Sequence, residues 1–152
     1  MHAGLAPVLA VNNVKPDLAL VAIVLVTTTL GFTQGIAWAF VAGTVANLLI
    51  PAEPLGSLPL ALLAVAVLVR AGGVVLGRLV WVYPIAAAFA GSLVADLISL
   101  AALSLVGGSL SVGIPIEIIV PAAVYNAAIT GLLLVPTRLL VLRYGPEERP
   151  AW

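Results

Sequence analysis

The chain has 152 residues, 63% of them hydrophobic and 8% charged, with a mean hydropathy of +1.27. A domain folded in water carries about a quarter of its residues as Asp, Glu, Lys and Arg, so six acidic and six basic residues are too few to coat this one. There is no basic patch to neutralise nucleic-acid phosphates and no cysteine for disulfides or thiolate metal sites; the single histidine, His2, leaves a metal centre or a Ser/His/Asp triad almost without raw material.

Lipid as solvent leaves two options, helices or a closed barrel, because every backbone polar group must be satisfied internally. Barrel strands alternate apolar and polar residues, whereas this chain has long unbroken apolar runs. The prediction is an all-α, polytopic membrane helix bundle of five to six transmembrane helices. It forms one domain over residues 1–141, followed by a cytoplasmic tail over 142–152.

Met1 to Asn13 is apolar but lacks the basic start of a signal peptide. Its uninterrupted part, Ala3 to Val11, spans only about 14 Å as a helix against a bilayer core of about 30 Å. It is therefore an incomplete span, or the trimmed end of a longer one. Pro16 and Asp17 suit the start of a helix, where a carboxylate meets the positive end of the dipole.

The run from Leu18 to Ile50 is too long for one span of about 20 residues. The break falls at Gly31-Phe32-Thr33-Gln34-Gly35, giving two short helices over 18–31 and 35–50. Pro51-Ala52-Glu53-Pro54-Leu55-Gly56 stops the second one. Asn47, near that end, is read as a cap or turn residue, with an internal cavity as the alternative.

A third span covers Leu58–Leu76, loosened at its end by Gly72, Gly73 and Gly77. Arg70 is close enough to that end to snorkel outward. Arg78, Trp81 and Tyr83 mark a membrane interface. The fourth span is Pro84–Val106. After a glycine-rich loop over 107–113 comes the fifth, Ile116–Val141, with Glu117 at its start. Pro121 and Pro136 predict kinks, and Arg138 and Arg143 anchor its end. The tail from Leu142 to Trp152 is expected to be disordered at its end.

With alternating spans, one side receives Arg70, Arg78, Arg138, Arg143 and Arg149, and the other only Lys15. The positive-inside rule then puts the C-terminus in the cytoplasm. The expected location is a membrane, which the chain crosses several times.

Asp96 is the most conspicuous intramembrane residue. It lies roughly 20 Å along a helix from Tyr83, near the bilayer centre, where a carboxylate costs at least about 2.5 kcal/mol. Asn126 is at similar depth when both helices are counted from the same face. An Asp96–Asn126 hydrogen bond between adjacent helices is expected, as structural glue before any proton or ligand role. Small residues recur at four-residue spacing in Gly31/Gly35, Ala39/Gly43, Gly73/Gly77, Ala87/Gly91/Ala95 and Ala123/Ala127/Gly131. Such faces serve internal helix packing first and partner docking second.

Three segments carry a family resemblance. Val14-Lys15-Pro16-Asp17-Leu18 stands at the mouth of the first long apolar run. Gly43-Thr44-Val45-Ala46-Asn47-Leu48-Leu49 is followed by Pro54-Leu55-Gly56. Pro121-Ala122-Ala123-Val124-Tyr125-Asn126 lies in the last span. In this order they resemble MreD, the small membrane protein of bacterial rod-shape determination, over Val14 to Leu140. Asn47 stands where that family usually has Asp, and the first span is incomplete, where the family normally has six spans.

The resemblance implies a non-enzymatic scaffold of the cell-elongation (peptidoglycan synthesis) machinery, without a cofactor. It would bind MreC directly and share a complex with MreB, RodA and PBP2. It also implies an architecture similar to the substrate-binding subunits of energy-coupling-factor vitamin transporters. The competing reading is such a transporter subunit, using Asn47, Glu53, Asp96, Glu117 and Asn126 as pocket groups. A membrane enzyme would need a nucleophile–base pair that the sequence does not offer.

Overall fold

A computed structural model of the chain describes residues 17–49, 54–76, 81–105 and 116–144. The described residues form five helices: α1 (Leu18–Thr29), α2 (Phe32–Leu49), α3 (Ser57–Leu76), α4 (Tyr83–Leu105) and α5 (Ile116–Tyr144). The expected partial span Ala3–Val11, Lys15, Pro16, residues 50–53, Arg78, the 107–113 loop and the tail beyond Tyr144 lie outside the described residues.

α2, α3, α4 and α5 are long and apolar enough to cross a bilayer, whereas α1 has 12 residues. Twelve residues reach only about 18 Å. The break between α1 and α2 comes at Leu30–Gly31, and α2 begins three residues earlier than expected, at Phe32. Gly31 has φ +111°, which glycine adopts without a Cβ penalty. This lets the Leu30 and Gly31 amides fold back onto the Val26 carbonyl at 2.8 and 3.2 Å, closing the helix end. Gly56, at φ +93°, makes the corresponding turn before α3. α5 continues through Pro121 and Pro136 and ends at Tyr144, past the expected boundary at Val141.

The helices are arranged around α1. It contacts each of the other four, while α2–α3, α3–α4 and α4–α5 pack as successive neighbours. Among the described residues α2 and α5 do not touch, so the outer helices form an open arc. α1 accordingly buries large side chains on most of its surface: Leu20, Val21, Ile23, Val24 and Leu25.

The outer helices turn small residues inward. The buried positions of α2 are Gly35, Ala39, Gly43 and Asn47, one every four residues. α4 buries Ala87, Ala88, Gly91, Ser92 and Ala95. A Cβ at Gly43 would stand 2.6 Å from the Pro59 Cα, and one at Gly91 would stand 3.0 Å from a Val65 methyl. These distances are what close backbone approach requires. In lipid, where burying apolar surface gains little, such close packing carries helix association. The stripes of α2 and α4 therefore serve the packing role expected of them, whereas Gly31 stands in the α1–α2 turn and Gly77 lies outside the described residues. The opposite face of α2 presents Trp38, Phe40, Val41, Val45 and Leu48 outward. Only 22–28% of each long span is buried inside the bundle, so most of their apolar surface is left on the outside.

Candidate functional site

Polar side chains gather at two levels of the bundle. The first surrounds the start of α1. Asp17 caps that helix: its carboxylate accepts from the Ala19 and Leu20 amides at 3.0 and 3.1 Å. This satisfies two of the N–H groups that any helix start leaves unpaired. The Asp17 amide itself donates to Asn126 Oδ1 on α5 at 2.9 Å, across 109 residues of sequence. Asn126 Nδ2 then donates to Ser92 Oγ on α4 at 2.8 Å, in a buried position. Thr130, fully buried one turn along α5, donates its hydroxyl to the Asn126 carbonyl. One carboxamide thus joins α1, α4 and α5.

The expected Asp96–Asn126 pair is not formed; Ser92, one turn earlier on α4, takes that place. The expectation assumed that α4 and α5 end at equal depth. In fact α4 extends thirteen residues beyond Ser92, while α5 begins ten residues before Asn126. The offset of about one turn moves Asp96 out of register, and it is half-buried there. Ser92 escaped sequence reasoning because a lone serine among small residues looks like packing. Its spacing of four from Asp96, which places both on one helix face, was the available signal.

Asn47 closes a second, separate junction. Its Nδ2 donates to the Pro54 carbonyl at 3.2 Å, and its Oδ1 accepts from the Gly56 amide. Ser57 Oγ also donates to the Pro54 carbonyl, at 2.8 Å. Asn47 is therefore the turn residue linking α2 to α3, and it needs no charge for that. Gly43 lies one turn before it, against Pro59. Of the remaining motif residues, Pro121 is exposed on α5 and Tyr125 is half-buried.

The second polar level is at the other end of α1. Thr27, Thr28 and Thr29 each donate a hydroxyl to a carbonyl one turn back. They lead into a cavity of about 380 Å³ bordered also by Gly31 and Phe32, by Val69, Arg70 and Gly73 of α3, by Tyr83 and Pro84 of α4, and by Arg138 of α5. The Tyr83 hydroxyl donates to the Val69 carbonyl, fixing one wall. The Arg138 guanidinium lies 4.6 Å from the centre of the Trp81 ring, a cation–π contact. Arg143 is exposed beside Tyr144. Arg70, Trp81, Tyr83, Arg138 and Arg143 thus belong to one end of the bundle. The sequence expected them there as separate anchors; it did not indicate that Arg70, Tyr83 and Arg138 border a common cavity.

A third feature is an apolar cleft of about 360 Å³ between α2 and α3, lined mainly by Phe40, Leu48, Leu55, Leu60 and Leu63. Among the described residues no group of three or more His, Cys, Asp or Glu is placed to hold a metal ion. No family model matches the chain, and neither the curated proteins nor the solved structures contain a match to it.

Proposed function

We propose that this protein is a non-enzymatic membrane scaffold of the MreD type, acting in the bacterial inner membrane within the cell-elongation machinery. The observation that carries the reading is the bond between Asp17 and Asn126. These two residues come from the first and third resembling segments, at opposite ends of the resemblance, and they meet in one hydrogen-bonded junction. Asn47 and Gly56, from the second segment, meet in another. The polar residues of the resemblance thus join helices. That is what a scaffold needs, since polar groups in lipid fix helix register at modest energy.

The same bonds weigh against the transporter reading. Asn47 and Asn126 would have to point into a pocket to hold a solute, yet both carboxamides are bonded within the chain. Discontinuous transporter helices aim a bare helix start at an anionic substrate. Here Asp17 already occupies the start of α1.

In this reading MreC is the direct partner, MreB, RodA and PBP2 belong to the same complex, and the arginine-rich end with the C-terminus faces the cytoplasm. The test is affinity capture of the tagged full chain from its native membrane in mild detergent, followed by mass spectrometry. Recovery of MreC supports the scaffold. A co-purifying vitamin, or a pair of ATPase subunits without MreC, overturns it.

A further inference from the structure

We draw no further inference here: the strongest candidate, the apolar cleft between α2 and α3 lined mainly by Phe40, Leu48, Leu55, Leu60 and Leu63, is an unpartnered face, and nothing in the structure shows what covers it.

Discussion

The two ends of α1 treat polar groups in opposite ways. At its start, the Asp17 carboxylate, the Asp17 amide, the Asn126 carboxamide and the Ser92 hydroxyl bond one another or adjacent backbone. At its finish, three threonines satisfy themselves locally and two arginines border open space. A closed network in lipid sets geometry, because every group in it has a partner to lose. At the other end each threonine hydroxyl bonds only its own helix, so it fixes no neighbour. The comparison separates the polar groups that join helices from those that do not.

Four substitutions would break or sharpen that contrast. Asn126→Leu should cost most, about 3 kcal/mol, because it strands both the Asp17 amide and the Ser92 hydroxyl inside the bundle. Reversible unfolding in mixed detergent micelles measures this, and a loss no larger than that of an exposed control such as Leu132→Ala would mean the junction is dispensable. Gly43→Ala should cost about 2 kcal/mol, since the new methyl meets the Pro59 backbone and cannot be absorbed by a rotamer change. Gly73→Ala is its control: there the nearest atom is the Tyr83 hydroxyl at an ordinary 3.6 Å, and little loss is expected.

Ser92→Ala removes one partner of Asn126 and should cost about 1 kcal/mol. If instead it equals Asn126→Leu, the Asp17 bond contributes nothing. Arg70→Ala should change stability least, by less than about 0.5 kcal/mol, as expected for an exposed side chain away from the packing. A large loss on thermal unfolding would move Arg70 from the open end of the comparison to the closed one.

Most helix boundaries were legible because they rest on local chemistry. Pro54 and Gly56 lie together in the turn before α3, and Gly31 and Gly56 take a positive φ. Asp17 as a helix cap follows from its position alone. The inward stripe of Gly35, Ala39, Gly43 and Asn47 is a spacing, and the fold kept it. What sequence could not give was relative depth. Whether Asn126 meets Asp96 or Ser92 depends on how far α4 overhangs α5, which no residue on either helix encodes by itself. The arginine-lined cavity was hidden for the same reason, since Thr27–Thr29, Arg70, Tyr83 and Arg138 come from four helices.

The bond between Asp17 and Asn126 also bears on how the protein is made. A ribosome adding about 5–20 residues per second needs roughly 5–20 s to bring the second residue out after the first. Throughout that interval α1, too short to cross the bilayer unaided, has an amide whose eventual acceptor has not yet been synthesised. Its final seating therefore comes late in biogenesis. Nascent chains arrested before residue 126 should leave α1 within reach of the insertase, and crosslinking from Leu18 would detect the delay.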